Sequence, residues 1–161
     1  MKYDAVIFDL FGTLVDNLAN LEGTSAEYCR VTCDVAGALS IPLQDFRRSW
    51  SATEDERYTG LFPTMEAYLE NLCRQSGVPV SPDRIAHAVQ IRLDYFRGLL
   101  TPRDDTLDTL RRLKDSGFKI GLVSDCAIED SIFWPNTPMP PLVDVAILSC
   151  EVRLRKPDPR I

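Results

Sequence analysis

Residues 3–16 read YDAVIFDLFGTLVD, a short apolar run followed by a polar segment that contains a glycine. The apolar part, 3–8, is rich in β-branched and aromatic residues and is too short to form a helix. Asp9 and Gly12 close the run, as polar and flexible residues do where a strand ends. This stretch therefore predicts a buried strand that runs directly into a loop.

Two later apolar runs, Phe118–Val123 and Val143–Leu148, predict two further strands. Continuous apolar strands that alternate with helices indicate a parallel sheet covered by helices on both faces, which is an α/β, Rossmann-like core. The long helical stretch between the first two strands breaks this alternation. It predicts an inserted all-helical subdomain at 17–99, with the core formed by 1–16 and 100–161. Helices are predicted over about 18–39, 43–57, 64–76, 83–98, 107–113 and 127–134.

The composition is typical of a globular protein. The chain has 161 residues, 45% of them hydrophobic and 26% charged, which suits one compact domain. Its 18 Lys and Arg against 24 Asp and Glu give a formal net charge of −6. We therefore expect no nucleic-acid partner and no membrane partner, since binding to either anionic surface needs positive charge. There is no apolar run of roughly 18 residues and no signal-peptide pattern, so we expect a cytoplasmic protein.

The cysteines and the histidine argue against a structural zinc site. Five cysteines, an odd number unevenly spread along the chain, are typical of reduced thiols rather than of a disulfide framework. Cys29 and Cys33 lie four residues apart and share a face of the first predicted helix. With His87 as the single histidine and no second cysteine pair, the ligand set for zinc is incomplete.

Polar side chains follow each of the three predicted strands. Asp9 and Thr13 follow the first, Ser124 and Asp125 end the second, and Lys156 follows the third. Each alone has a structural explanation, as a turn residue, a cap or a solvated charge. In parallel sheets, however, ligands bind outside the carboxyl ends of the strands. A carboxylate, two hydroxyls and an ammonium at one rim are what the attack of a carboxylate on an anionic substrate requires.

In their order and spacing, these residues resemble the motifs of the haloacid dehalogenase superfamily of hydrolases, most of which are phosphatases. That family has a strand followed by Asp-x-Asp-x-Thr-Leu, a second strand ending in Ser or Thr, and a Lys that is often followed by Pro. The resemblance implies that Asp9 is the nucleophile, that Thr13 and Ser124 hold the transferred group, and that Lys156 neutralises charge. It also implies that 17–99 is a helical cap that closes over the site.

The resemblance further implies a cofactor and a substrate class. In the phosphatases of the family, Mg²⁺ is held by the nucleophilic aspartate, by a backbone carbonyl two residues later and by an acidic residue of a fourth motif. Here the first two ligands are Asp9 and the carbonyl of Phe11. We therefore expect a phosphatase that acts on a small phosphate ester through an aspartyl-phosphate, with Mg²⁺ bound. The expected partner is a small anionic substrate, and the oligomeric state is left open.

One departure from the family pattern lies in the first motif. The second Asp, which transfers protons in the phosphatases, is replaced by Phe11, and a phenyl ring cannot transfer a proton. Proton transfer of this kind contributes roughly 10²- to 10⁴-fold in rate. A phosphatase would therefore need another acid, such as Asp16 or Asp125, or a good leaving group.

An aromatic residue at this position also resembles the 2-haloacid dehalogenase branch of the same family. There the aspartate displaces halide from carbon, an ester forms, and no metal is needed. Those enzymes usually have Ser-Asn where this chain has Ser124-Asp125, and a second carboxylate beside a carboxylate substrate is unfavourable. The candidates for a halide-binding arginine are Arg30, Arg47, Arg48 and Arg57. The aromatic residues of the helical stretch, more typical of a core than of a pocket, are Trp50, Tyr58, Phe62 and Tyr68.

A second departure lies at the end of the sequence. The fourth motif of the family should follow Lys156 by some tens of residues, whereas this sequence ends at Ile161. We therefore expect a core that is incomplete at its C-terminus. Together with Phe11, this leaves a third hypothesis, in which the chain is an inactive or binding-only member of the family.

Overall fold

The structure is a computed structural model that describes residues 3–16 and 26–161. Its sheet has three strands, β1 (Ala5–Phe8), β2 (Lys119–Ser124) and β3 (Val145–Leu148), paired in parallel in the order β1-β2-β3. The predicted α/β class with a parallel sheet is confirmed. Of the helices in the described ranges, none combines the length and apolar character that crossing a membrane demands.

The helices of the described ranges follow the predicted order, with two differences. A short helix at Ser149–Val152 is absent from the prediction, and one predicted helix is divided. The helix predicted over 43–57 is two helices, because the chain breaks at Thr53, which ends one and begins the next. The Thr53 hydroxyl lies 2.9 Å from the Tyr68 hydroxyl inside the core, so a tertiary contact fixes the break. The start of the helix predicted over 18–39 falls in 17–25, outside the described residues. The α-helices are α1 (Ala26–Leu39), α2 (Leu43–Ala52), α3 (Glu54–Tyr58), α4 (Met65–Gln75), α5 (Pro82–Phe96), α6 (Thr106–Asp115), α7 (Ile128–Phe133) and α8 (Ser149–Val152).

The proline-rich segment after α7 also differs from its expectation. Regular structure was not expected at 135–141, yet two short 3-10 helices form there, Trp134–Asn136 and Pro140–Leu142. Proline at the first turn of a helix costs no hydrogen bond, because the missing N–H would have no partner there.

The described residues form two separate hydrophobic clusters. One lies among α1 to α5 and is centred on fully buried side chains such as Leu69 and Leu72. The other lies against the sheet and contains Leu122 of β2 and Leu110 of α6. The segment α1–α5, which we call the helical unit, therefore has its own core. Its limits at 17 and 99 stay a prediction.

The helical unit leaves and rejoins the sheet part at one place. Val15 forms an antiparallel bridge with Pro102, although the two residues are far apart in sequence. The carbonyl oxygen of Leu14 accepts the Arg103 N–H at 3.0 Å and the Thr106 hydroxyl at 2.7 Å. Because both connections are held at this junction, the intervening helices can fold without separating β1 from the remaining strands.

The two faces of the sheet differ, which corrects the expectation of helices on both faces. Ile120 and Leu122 point into the core and are 1% and 0% exposed. On the opposite face, Ile7 is 70% exposed and Val145 is 56% exposed, on either side of Gly121. A continuous apolar run predicts burial of both faces, but the helices among the described residues pack on one of them only.

This difference gives a test with the same substitution on each face. We expect Ile120→Ala to lower the free energy of unfolding by about 2–5 kcal/mol, because it leaves a cavity in the core. Ile7→Ala, on the adjacent strand, should cost about 1 kcal/mol or less, since the side chain is already largely in water. Urea denaturation of the two variants measures both values. Equal losses would contradict the one-sided packing.

Candidate active site

An ion pair between Asp9 and Lys156 lies at the carboxyl end of the sheet. Asp9 directly follows β1, and its Oδ2 is 3.0 Å from Nζ of Lys156, which comes from the segment after β3. The other carboxylate oxygen of Asp9 accepts the Leu10 N–H at 2.7 Å. The Lys156 ammonium also donates to the Val123 carbonyl at 3.2 Å. These bonds fix both charged groups while leaving the Asp9 side chain 45% and the Lys156 side chain 35% exposed.

The exposure of this pair bears on its role. Ion pairs that are open to water contribute only about 0–1 kcal/mol to stability. A pair held by two further protein atoms at a strand end, yet open to solvent, is therefore better suited to contact a ligand than to hold the fold together. Asp9 supplies a nucleophilic oxygen and Lys156 a positive charge beside it.

The loop after β1 is wound tightly around one carbonyl. The Leu10 oxygen accepts N–H groups from Thr13, Leu14 and Val15 at 3.3, 2.9 and 3.1 Å. Gly12 has a φ of 74° in this turn, a conformation that glycine adopts without strain. The turn leaves Thr13 exposed and holds the side chain of Phe11 half-buried.

Ser124 is the last residue of β2, and Asp125 follows it at the same edge of the sheet as Asp9. Ser124 is completely buried, and its Oγ lies 3.4 Å from the Asp125 carbonyl. The Asp125 carboxylate accepts the backbone N–H of Lys156 at 2.9 Å through Oδ1 and lies 3.5 Å from Nε of Arg155 through Oδ2. Both of its oxygens are therefore occupied in holding the segment that carries Lys156.

Among the residues predicted from the sequence, direct contacts join Asp9, Lys156 and Asp125. Thr13 and Ser124 lie at the same edge of the sheet, on the loop after β1 and at the last position of β2. Parallel register explains the proximity, because Phe8 pairs with Leu122 and Ser124 with Leu148. Their roles in holding a transferred group stay a prediction.

Arg155 is a residue whose importance the sequence reasoning missed. Besides Asp125, its guanidinium contacts Glu54 at 3.0 Å and Asp55, both in α3, and lies 4.6 Å from the centre of the Tyr58 ring. It therefore connects the helical unit to Asp125 and to the segment that carries Lys156. The sequence shows the charges of 54–55 and 155, but nothing in it indicates that groups 100 residues apart form a pair.

A second ion pair between the helical unit and the sheet part is buried. Nε of Arg92 in α5 lies 3.0 Å from Oε1 of Glu129 in α7, and the two residues are 3% and 0% exposed. The Arg92 guanidinium lies between the rings of Trp50 and Phe96, 4.5 and 4.3 Å from their centres. Such a pair depends on its geometry, because each charge without the other is left in a poorly hydrated environment.

A cavity of about 450 Å³ opens in the helical unit next to Tyr58. Trp50 and Tyr58 line it together with two arginines, Arg47 and Arg57. The other two candidate arginines are exposed and paired on their own helices, Arg30 with Glu27 and Arg48 with Asp45.

The aromatic residues of the helical unit serve mainly as core, as the sequence predicts. Tyr68 is 1% exposed, and burial raises its pKa to about 12. Its ring packs edge-on against Trp50 at 5.1 Å and next to Phe62 at 5.1 Å. Trp50 is 9% exposed, so it lines the cavity with an edge of a ring that is otherwise buried.

The described residues do not make up a magnesium site by themselves. The ligands that the family resemblance predicts, Asp9 and the Phe11 carbonyl, amount to two oxygen donors. The Lys156 ammonium already lies against the Asp9 carboxylate. Within 3–16 and 26–161, there is no group of three or more His, Cys, Asp or Glu side chains that could hold one ion. Mg²⁺ prefers six oxygen ligands, so water, substrate or further protein groups would have to supply the rest.

Comparisons with known proteins agree on the family of this chain. A family model for haloacid dehalogenase-like hydrolases matches residues 3–161. Two curated relatives are (S)-2-haloacid dehalogenases from Pseudomonas fluorescens and Pseudomonas putida, each 30% identical over 161 and 159 residues respectively. These alignments include 96% and 97% of this chain, which spans 66% of the length of each relative.

A solved structure shows the same fold. It is the wild-type HAD family enzyme of Bacteroides thetaiotaomicron in complex with magnesium and inorganic phosphate. The match has a TM-score of 0.62 at 17% identity and covers 99% of this chain and 75% of that enzyme.

The buried ion pair gives a test of how the helical unit is joined to the sheet part. We expect Glu129→Gln to lower the free energy of unfolding by about 3–5 kcal/mol, because the charge on Arg92 remains buried without its partner. The control is Glu70→Gln, which removes the same group from an exposed pair with Arg74 and should cost about 1 kcal/mol or less. Thermal or urea unfolding measures both. A small loss in the first variant would show that Arg92 does not need Glu129.

Proposed function

This chain belongs to the haloacid dehalogenase-like hydrolases, and on that premise we propose that it is a hydrolase in which Asp9 attacks the substrate. The observation that carries the proposal is the 3.0 Å contact of Asp9 with Lys156 at the open carboxyl end of the sheet. A carboxylate repels an anionic substrate unless a positive charge screens it. Lys156 provides that charge within contact distance of the nucleophile.

The substrate that we propose is a small 2-haloacid. In the first step, an oxygen of Asp9 forms a bond to the halogen-bearing carbon while the carbon–halogen bond breaks and halide leaves with its electron pair. Water then attacks the resulting ester at the Asp9 carboxyl carbon. This second step releases a 2-hydroxyacid and a proton and restores the Asp9 carboxylate.

Three observations support this choice. Halide leaves without a proton, so the reaction has no need for the acid that Phe11 replaces. Asp125, whose carboxylate contacts the segment that carries Lys156, is held by the Lys156 N–H and by Arg155, so part of its charge is compensated. The curated relatives that align with 96% and 97% of the chain are (S)-2-haloacid dehalogenases.

A phosphatase acting on a small phosphate ester is the second candidate. It is favoured by Asp125, since a carboxylate at this edge weakens the binding of a carboxylate substrate but can serve as a proton donor. In this reaction Asp9 would be phosphorylated, and Thr13 and Ser124 would hold the transferred group. Asp9 and the Phe11 carbonyl would contribute two ligands to Mg²⁺, whose chemistry is to neutralise phosphate charge.

For either substrate, we propose that the helical unit, with limits at 17 and 99, is a cap over a core formed by 1–16 and 100–161. The buried pair of Arg92 with Glu129 and the contacts of Arg155 with α3 support this arrangement, because they tie the unit to the end of the sheet that carries Asp9. The 450 Å³ cavity lies in this unit and is lined by Arg47 and Arg57 against one carboxylate, Glu54, so its net positive charge suits an anionic substrate.

The main test measures halide release from 2-chloropropionate without added metal. We expect Asp9→Asn to reduce the rate by on the order of 10³-fold or more, because the amide is not a nucleophile. Asp4→Asn is the matched control at the opposite end of β1 and should retain full activity, since Asp4 is exposed and remote from Lys156. Activity that survives in Asp9→Asn would rule out the proposed nucleophile.

Parallel assays with an aryl phosphate, with and without Mg²⁺, separate the candidates. Metal-dependent phosphate release that is lost in Asp9→Asn supports the phosphatase. If neither product forms while phosphate or 2-chloropropionate still binds, a binding-only protein is the better description.

Asp125→Asn distinguishes the two reactions in a different way. The amide oxygen can still accept the Lys156 N–H, but the negative charge is gone. For a haloacid, we expect KM to fall about fivefold, because one nearby like charge is worth about 1 kcal/mol in a hydrated site. For a phosphatase that uses Asp125 as its acid, kcat should fall instead. Steady-state kinetics at fixed pH measure both constants.

A further inference from the structure

Two cysteine thiols lie side by side next to the site. Cys126 directly follows Asp125, and Cys150 lies in α8, which follows β3. Their sulfur atoms are 3.8 Å apart, and both thiols are free. We propose that Cys126 and Cys150 form a site of reversible oxidation, at which a hydroperoxide converts the thiol pair to a disulfide.

The fold brings the two sulfurs together through strand register. Ser124 pairs with Leu148 in the parallel sheet, so the two cysteines stand at equivalent positions, each two residues further along. Ser149 reinforces this pairing, because its Oγ accepts the Cys126 N–H at 2.9 Å and donates to the Cys126 carbonyl at 3.1 Å. A disulfide needs an S–S distance of about 2.05 Å, so the sulfurs have to approach by only about 2 Å between segments that are already held together.

The two thiols differ in access. Cys150 is half-buried and lines a cavity of about 260 Å³ together with Gly60 and Ser131. Cys126 is 1% exposed. A small oxidant therefore reaches Cys150 first, and Cys126 is placed behind it to react with the oxidised sulfur.

The contact between the thiols also makes Cys150 the more acidic of the two. A hydrogen bond from the Cys126 thiol lowers the pKa of Cys150, and a second contact with Ser131 acts in the same sense. The same bond and burial raise the pKa of Cys126. While protonated, Cys150 has an acceptor for its S–H in the Ala127 carbonyl at 3.4 Å. Low pKa, access and a neighbouring thiol are the features of cysteines that respond to oxidants.

The chemistry balances with a hydroperoxide as the oxidant. The Cys150 thiolate attacks one oxygen of the peroxide, and the O–O bond breaks. When the oxidant is hydrogen peroxide, the products are a sulfenic acid on Cys150 and a hydroxide ion, which takes up a proton to become water. The Cys126 thiol then attacks the Cys150 sulfur, an S–S bond forms, and the S–O bond breaks. Overall two thiols lose two electrons and two protons, and one hydrogen peroxide becomes two molecules of water.

The other cysteines serve as internal controls. Cys29 and Cys33 are exposed on α1 at a spacing of four residues, where Cβ atoms on a helix are about 5–6 Å apart. A disulfide needs about 3.5–4.5 Å between Cβ atoms, so this exposed pair is poorly placed to close. Cys73 is 1% exposed within the helical unit.

The test is oxidation of the full chain by hydrogen peroxide, followed by intact mass measurement and peptide mapping without reductant. We expect a loss of 2 Da that dithiothreitol reverses, and one cross-linked peptide pair that contains Cys126 and Cys150. In Cys126→Ser, a sulfenic-acid reagent should label Cys150, because the second thiol is missing. Cys73→Ser should form the same cross-link as the unmodified sequence.

Two results would overturn the proposal. One is oxidation of Cys150 to sulfinic acid in the unmodified sequence while Cys126 stays a free thiol. The other is a cross-link that joins Cys29 to Cys33 with no bond between Cys126 and Cys150. Both readouts are independent of any enzymatic activity, so they stand whichever substrate the protein acts on.

Discussion

The parallel pairing of three short strands is the constraint on which the rest of the structure depends. Because all three strands point the same way, whatever follows them in sequence gathers at one edge. That is how Asp9 and Lys156, which are far apart in sequence, come within 3.0 Å. The same register places Cys126 beside Cys150. The backbone hydrogen bonds of the sheet thus place these four residues at one edge, and their side chains need only small rotations to make contact.

The helical unit adds a second constraint, which is electrostatic. Its two connections to the sheet part meet at the Leu14 carbonyl, and a junction this narrow leaves orientation to be fixed elsewhere. Arg92 and Arg155 fix it, one as a buried pair with Glu129 and the other as a partly exposed bridge between Asp125 and α3. Burial makes the first pair sensitive to the loss of either partner, whereas water screens the second. The position of the unit relative to Asp9 is therefore more sensitive to the loss of Arg92 than to the loss of Arg155.

The strands and the family motifs could be predicted from local sequence pattern. The features that could not be predicted depend on contacts between residues far apart in sequence. Short apolar runs identified the strands, and the residues that follow them, Asp9 and Lys156 above all, identified the family, which is confirmed. The break at Thr53 was missed because it depends on a contact with Tyr68 in another helix. An apolar run likewise does not reveal which face is covered, and for that reason the exposure of Ile7 was not foreseen. Ion pairs such as that of Arg155 leave no periodic signal at all.

The charge around the nucleophile bears on which substrate the site can accept. Four carboxylates, those of Asp9, Asp125, Glu54 and Asp55, surround two cations, Lys156 and Arg155, in one connected network. The network is therefore net negative, and the repulsion of a bound anion grows with the charge that the anion carries. A phosphate dianion is therefore repelled more strongly than a singly charged anion, and its reaction needs added positive charge at the reacting atoms. A haloacid carries a single negative charge, on a group that does not react, so the repulsion acts away from the atoms between which the bond forms, and this difference supports the haloacid proposed above.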